Sequence, residues 1–175
     1  MRKEQIAANL EVAFSRYGFA EPSVTQLKEA CEVSLRTLYK YYPSKDAMIV
    51  AALQFRHQRY LDFLLLDAPA IGIAAVQHIF NRLEQWMQDF APNGCLSMNA
   101  MAAYPDNHII TDAVTTHKED VRHFLGQQSG REDLSTALFL LHEGVSSAWP
   151  VRGHEAIDTA HRLLSQLITE EPQRQ

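Results

Sequence analysis

The chain has 175 residues, of which 46% are hydrophobic and 21% charged, and its formal net charge is −5. This length and apolar content allow a sizeable buried core and exclude a disordered tail, whereas the small number of Gly and Pro and the lack of alternating strand patterns predict an all-α protein. Because no apolar run is long enough to span a bilayer and only two cysteines are present, we expect a cytoplasmic protein with reduced thiols and no membrane contact.

Two helices are predicted at the start of the chain. Apolar residues recur on one helical face from Ile6 to Tyr17, and Gly18 ends this first helix. The second helix begins after Ser23, whose hydroxyl can accept from the Gln26 amide while the Gln26 side chain bonds back to Ser23. This reciprocal arrangement is a capping box.

A third, short helix follows after a tight turn. Ser34 is its predicted N-cap, and the helix runs from about Leu35 to Tyr42. Leu38 is the residue of this helix that faces the core. A long fourth helix, from Ala47 to about Leu66, then leads into the rest of the chain. Further helices are predicted at about 70–90, 96–104, 106–127, 132–148 and 154–169, with breaks at Gly and Pro residues that include Pro150.

The second and third helices form a candidate helix-turn-helix, a motif whose second helix enters the major groove of DNA. Around Leu38 the third helix has hydroxyl, basic and phenolic side chains that can donate to phosphates and base edges. Residues 1–50 carry seven Lys and Arg against six Asp and Glu, whereas the rest of the chain carries nine against fifteen, so the N-terminal end is the better partner for phosphate. The DNA-binding residues predicted from this pattern are Ser34, Leu35, Arg36, Thr37, Tyr39, Lys40 and Tyr41.

The order and spacing of residues in this N-terminal head resemble those of the TetR family. The matching positions are Ile6, Ala13, Phe14, Gly18, Phe19, Ser23, Val24, Leu27, Ala30, Val33, Ser34, Thr37, Leu38, Tyr39, Tyr42, Ser44, Lys45 and Asp46. The resemblance implies a three-helix helix-turn-helix head, residues 1–46, on a helical ligand-binding and dimerisation body, residues 47–175. It also implies a homodimer that binds an inverted-repeat operator in double-stranded DNA, usually as a repressor that a small-molecule effector releases.

The resemblance also implies roles for single residues of the head. Thr37, Tyr39 and Tyr41 look like hydroxyl donors to phosphate, and Lys45 like the cation that contacts the DNA backbone. Thr25, on the second helix, is a further predicted contact to a phosphate or a base. A solvated surface is the alternative for Tyr39, Lys40, Tyr41 and Lys45. Arg36 departs from the family pattern, in which a small residue or Pro is common, and either a base or a phosphate is open as its target. Glu32 stands where the family usually has Gly, so we expect some strain in the turn.

The body offers a candidate ligand pocket and a candidate dimer interface. Residues 94–100 look like a segment seen in part of the family, and nearby aromatic and Met residues are typical of a ligand cavity, although a plain core explains them equally well. The pocket candidates are Phe55, Phe80, Trp86, Phe90, Cys95, Met98, Met101 and Tyr104. The interface candidates, on apolar faces of the last two helices, are Leu134, Leu138, Leu141, Val145, Ile157, Ala160, Leu164 and Leu167.

Other functions find little support in the sequence. Glu119 and His123 stand one helical turn apart, but no metal-binding motif accompanies them, and we expect neither a metal nor a cofactor. No catalytic motif is present, which favours a regulator over an enzyme. A helical ligand-binding protein whose head has lost its operator is the alternative. Cys95 is either a small core residue or a reactive thiol at a helix start.

Overall fold

The computed structural model describes residues 3–169; Met1, Arg2 and the polar tail at 170–175 lie outside the described residues. In the described range all regular secondary structure is helical, which confirms the predicted all-α class. The helices are α1 (Lys3–Tyr17), α2 (Val24–Ala30), α3 (Leu35–Tyr41), α4 (Lys45–Leu65), α5 (Ile73–Asp89), α6 (Leu96–Ala103), α7 (His108–Ser129), α8 (Ser135–Arg152) and α9 (His154–Thr169), with a 3-10 turn at Glu132–Leu134 before α8. None of these helices is both long and apolar enough to cross a bilayer.

The local signals in the head act as the sequence predicts. Ser23 and Gln26 form the capping box of α2, and the Ser34 hydroxyl caps α3. Gly18, with φ of +75°, ends α1 in the left-handed conformation that Gly adopts without steric cost. Glu32 has φ of +54°, so the expected strain in the turn between α2 and α3 is present.

One predicted helix boundary is wrong. We expected a break at Pro150, but α8 continues through this residue to Arg152 and ends at Gly153. Proline removes only its own N–H, so a single intrahelical bond is lost near the helix end, and the Gly153 amide still donates to the Trp149 carbonyl at 2.8 Å. Gly153, with φ of +52°, is therefore the residue that stops the helix.

The chain divides into two compact units. Unit 1 comprises residues 3–59 and 96–117 of the described range, and thus joins the three-helix head to the first part of α4, to α6 and to the start of α7. Its core is apolar, with Phe14, Leu27 and Leu38 from the head packed in one cluster with Ala100 of α6 and Ile110 of α7. The head therefore does not bury its apolar face alone.

Polar contacts reinforce unit 1 at its edges and inside it. The Tyr42 hydroxyl donates to the Lys3 carbonyl at 2.9 Å, which ties the end of α3 to the start of α1. Glu11 of α1 is buried and accepts from Arg56 at 2.6 Å and from Arg59 at 2.7 Å, both on α4. Removing one partner of a buried ion pair generally costs about 3–5 kcal/mol, because the remaining charge is uncompensated. Glu11 thus fixes α1 against α4.

Unit 2 comprises residues 60–95 and 118–169 of the described range. Its core is a second apolar cluster, to which α5, α7, α8 and α9 contribute large side chains such as Phe80, Trp86 and Leu164. The predicted functional boundary between residues 46 and 47 stays a prediction, because the compactness of a unit does not establish which residues bind DNA.

Candidate nucleic-acid interface and sensing region

Helix α3 presents a polar surface around one buried side chain. Leu38 has no exposed surface, and the helical repeat places Arg36 and Lys40, one turn apart, on the opposite face. Both of these cations are exposed. Leu35 and Tyr39 form one flank, with 41% and 44% of their surfaces exposed, and Thr37 and Tyr41 form the other, half-buried flank.

Most of the polar side chains on α3 already have partners within the head. The Ser34 hydroxyl accepts from the Thr37 amide at 3.1 Å and lies 2.8 Å from the Thr37 hydroxyl, so both residues form the N-cap. The Lys40 ammonium lies 5.9 Å from the centre of the Tyr41 ring. Arg36, by contrast, makes neither a hydrogen bond nor an ion pair with the described residues.

The remaining predicted contacts flank α3. Thr25 lies exposed in the first turn of α2. Lys45 begins α4, and its ammonium donates to the Ala20 carbonyl at 3.0 Å, which holds the side chain beside the loop between α1 and α2. An ammonium has three donors, so this bond leaves Lys45 able to contact a phosphate. That the nine predicted residues contact DNA stays a prediction.

The predicted pocket residues divide between the two units. Phe55, Met98, Met101 and Tyr104 belong to unit 1, and Phe80, Trp86, Phe90 and Cys95 belong to unit 2. In unit 2, the centre of the Trp86 ring lies 4.9 Å from the ring centre of Phe90 and 5.5 Å from that of Phe63. Trp86 is only 4% exposed, so the packing also fits the alternative that this ring is core. The pocket assignment stays a prediction.

Unit 2 also contains a chain of polar groups that the sequence analysis missed. The buried His142 ring contacts the Tyr60 hydroxyl through Nε2 and lies 3.0 Å from Glu143 Oε1 through Nδ1. Glu143 accepts from the Lys118 ammonium at 2.6 Å, and this ammonium lies 3.3 Å from Cys95 Sγ. Tyr60 and Cys95 are far apart in sequence from their partners, so neither spacing nor motif indicated the contact.

Burial and neighbouring charges have opposite effects on the pKa values of these polar groups. Burial lowers the pKa of His142 by more than its Glu143 contact raises it, so the ring is neutral. Burial raises the pKa of Glu143, but the hydrogen bond from His142, together with the charge and hydrogen bond of Lys118, outweighs that effect and holds the pKa at about 2. Burial also opposes the charge on Lys118, yet Cys95 and Glu143 raise the pKa of Lys118 overall. The stable arrangement is therefore a neutral imidazole beside a carboxylate–ammonium pair.

The two cysteines occupy different surroundings. Cys31 is buried in unit 1, and this burial raises the pKa of its thiol to about 11. Cys95 is partly exposed, just before α6. The sequence shows no basic residue beside Cys95, and the structure supplies one in Lys118, 23 residues away.

Helices α8 and α9 carry an exposed apolar surface beside the predicted dimer residues. Leu138, Val145, Ile157, Ala160 and Leu164 are at most 3% exposed, and they face the core of their own subunit. Leu134, Leu141 and Leu167 are partly buried. The outward surface is a groove of about 350 Å³ between the two helices, lined by Leu140, Leu141, Gly144, Val145, Ala148, Arg152, Glu155, Ala156, Thr159, Ala160 and Leu163. Dimerisation itself stays a prediction.

The candidate metal residues take other partners. Glu119 accepts from Arg122 Nε at 2.8 Å, and the arginine lowers the pKa of the carboxyl. His123 Nε2 lies 3.6 Å from the Glu119 carboxylate, and the nearby His117 stacks on His57 with ring centres 4.3 Å apart. Within residues 3–169, no group of three or more His, Cys, Asp and Glu side chains is placed to hold a metal ion.

Comparisons with known proteins agree with this geometry. Residues 7–52 match the model of the family described as "Bacterial regulatory proteins, tetR family". The HTH-type transcriptional regulator YjdC of Escherichia coli K12 is 24% identical over 179 residues, which cover 96% of this chain and 94% of that protein.

Solved structures share this fold over 95% or more of the chain. The TetR-family transcriptional regulator SCO4454 of Streptomyces coelicolor matches with a TM-score of 0.80 and 20% identity, covering 95% of this chain and 91% of that one. The reduced form of E. coli NemR matches with a TM-score of 0.78 and 22% identity, covering 97% of this chain and 98% of that one.

The polar α3, held over its core by Leu38 and joined to α2 by a short turn, defines a helix-turn-helix domain on a helical body. Such a domain is the DNA-binding part of a transcriptional regulator. That same segment, residues 7–52, is similar to the bacterial regulatory proteins of the tetR family, and the transcriptional regulator YjdC is similar over 96% of the chain. These similarities support DNA-binding regulation as the role of the chain.

Proposed function

We propose that this regulator is a repressor that binds an inverted-repeat operator as a homodimer and leaves it when a small molecule binds. The observation that carries the proposal is the exposed row of donors on α3. Arg36 and Lys40 are on its outer face, with Tyr39 on a flank, while Leu38 anchors the helix in the core of unit 1. These donors suit both the phosphates and the base edges of a major groove.

A dimer is required for reading an inverted repeat, because two heads must reach half-sites about 34–36 Å apart. The groove between α8 and α9 supports a two-fold contact: Leu140 is 64% exposed and Leu163 44% exposed at its edges. Apolar surface exposed on a subunit is typical of an interface. Because a regulator acts at the chromosome, we place the dimer in the cytoplasm.

Release by an effector is supported by the side chains inside unit 2. Aromatic side chains are grouped around Trp86 in unit 2, with a chain of polar groups from Tyr60 to Cys95 in the same unit. Small-molecule sites generally combine apolar walls with a few such polar groups. Reciprocal linkage then requires the effector to bind less tightly when operator is present.

The first test is binding to DNA that flanks the protein's own coding region, measured by fluorescence anisotropy over a range of salt concentrations. We expect this DNA to bind more tightly than an unrelated duplex of equal length. Lys45→Ala should weaken both affinities and reduce the slope of log affinity against log salt by about one.

Arg122→Ala is the matched control, since it removes one cation from α7 in unit 2, where Arg122 pairs with Glu119 away from the groove of α8 and α9. We expect the control to keep the wild-type affinity and salt slope. A protein that binds flanking and unrelated DNA equally weakly would instead support the alternative of a ligand-binding protein without an operator. Unchanged salt behaviour in Lys45→Ala alone would remove Lys45 from the interface.

A further inference from the structure

Arg36 is the side chain on α3 best placed to read a base. Resting on the proposed function, we propose that Arg36 selects a guanine in each half-site of the operator, through N7 and O6 of that base. The inference concerns which base the interface recognises and not whether the protein binds DNA.

The position of Arg36 on its helix supports the proposal. It is the second residue of α3, two positions after the N-cap Ser34. The N-terminal residues of a recognition helix are those that contact base edges. Arg36 also lies opposite the buried Leu38, so it projects from the face of α3 that lies farthest from the core. On a helix lying in the major groove this face meets the floor, whereas the flanks meet the phosphate walls.

The partners of the neighbouring cations also favour Arg36. Lys40 lies over the Tyr41 ring, and Lys45 donates to the Ala20 carbonyl. Lys28 lies 3.9 Å from the Glu29 carboxylate. Among the described residues, Arg36 has no such partner, so its guanidinium reaches DNA without breaking a contact in the free protein.

The chemistry of the guanidinium identifies the base. Arginine offers a rigid fork of donors, and guanine presents two adjacent acceptors, N7 and O6, in the major groove. Adenine replaces the O6 acceptor with an amino donor, and the pyrimidines lack N7. Two parallel hydrogen bonds therefore form with guanine alone. A lysine at the same position would contact these acceptors as a point charge, without the paired geometry.

The test begins with selection of binding sites from a random DNA library by the full-length wild-type protein and by Arg36→Ala. We expect the wild type to enrich a motif with one symmetric guanine in each half-site, and Arg36→Ala to lose that preference while keeping the rest of the motif. Arg36 is exposed and without a partner in the described chain, so the variant should retain the wild-type helical circular dichroism.

A base analogue then locates the contact. Replacing the selected guanine with 7-deazaguanine removes the N7 acceptor, and we expect the wild-type affinity to fall by about tenfold. The same analogue should change the affinity of Arg36→Ala by less than twofold. Lys45→Ala is the comparison variant: it should bind all sequences more weakly, yet keep both the guanine preference and the penalty for the analogue.

The outcomes separate this inference from the proposed function. A wild-type protein that enriches no motif would overturn the proposed function. A wild-type motif that Arg36→Ala returns unaltered would overturn only the role of Arg36. Uniform weakening of Arg36→Ala across all sequences, with the analogue penalty retained, would assign Arg36 to a phosphate and also overturn the inference.

Discussion

His142 links the stability of unit 2 to pH. Its ring is 3% exposed and neutral, because burial lowers its pKa below the usual 6.5. In the unfolded chain the same ring is protonated below pH 6.5, so the unfolded state binds more protons there and the free energy of unfolding falls as the pH falls. Glu143 acts in the same direction at lower pH: its contribution is complete above about 4.5 and is lost as the pH falls towards about 2.

We therefore predict that His142→Gln makes the stability of the protein less dependent on pH. The free energy of unfolding of the wild type should fall as the pH is lowered from 7 to 5. His142 should contribute up to about 1.4 kcal/mol per pH unit to this fall. The variant should lack this part of the slope. Urea titrations at several pH values measure it directly.

His123→Gln is the control for this prediction. His123 is 61% exposed at its side chain and lies beside Glu119 on the surface of α7. Its substitution should leave the pH slope close to that of the wild type. Equal slopes for the wild type and His142→Gln would show that the ring is not held neutral by burial.

At the residue scale, what could be predicted depended on how far apart two partners lie in sequence. The capping box of Ser23 and Gln26 spans three residues, so local pattern was sufficient. The strain at Glu32 followed in the same way from one position that usually holds Gly. The contact of Lys118 with Cys95 joins α7 to the residue before α6 across 23 positions of the sequence, and no local pattern predicts it.

At the scale of elements, α6 belongs to the same compact unit as the DNA-binding head. The Tyr104 hydroxyl, directly after α6, donates to the Phe19 carbonyl in the loop between α1 and α2 at 3.0 Å. Met101 of α6 packs against the apolar cluster of the head. A displacement of α6 therefore reaches the head through direct contact.

We predict that Tyr104→Phe weakens this connection specifically. Loss of one hydrogen bond generally lowers the free energy of unfolding by about 1 kcal/mol. Amide hydrogen exchange should become faster in the loop at residues 18–22, while the amides of α5 and α9 in unit 2 keep their protection. Tyr17→Phe is the control, because Tyr17 is 52% exposed and its hydroxyl has no hydrogen-bond partner in the described chain. Equal exchange in both variants would show that the Tyr104 bond does not hold the loop.

The sequence predicted elements better than their packing. Helical periodicity and caps placed α3 within one residue of its observed end, and the family pattern covered the same segment. The predicted end of α8 at Pro150 was too early, because a proline near a helix end removes only one backbone hydrogen bond and α8 continues to Arg152. The association of α6 with the head depends on contacts between residues far apart in the chain, such as Tyr104 with Phe19, which periodicity does not report.

At the scale of the whole molecule, the apolar faces of α8 and α9 divide into an inward and an outward part. Periodicity identifies an apolar face, but it does not distinguish the core of the subunit from a surface that a second copy covers. Leu164 is 1% exposed and belongs to the core, whereas its neighbour Leu163 is 44% exposed at the groove. A test of dimerisation must therefore use Leu163, since a charge at Leu164 would unfold the subunit.

We predict that Leu163→Glu yields folded monomers that bind operator DNA poorly. Two such charges brought together across a two-fold interface repel each other and lose their hydration. Val12→Glu makes the same chemical change at a residue of α1 that is 63% exposed, and it should leave the protein dimeric. Sedimentation velocity at micromolar concentration without DNA distinguishes the two, with circular dichroism confirming that both variants fold. A dimeric Leu163→Glu would move the interface away from this groove. A monomeric wild type would overturn the dimer itself, because a single head reaches only one half-site of an inverted repeat.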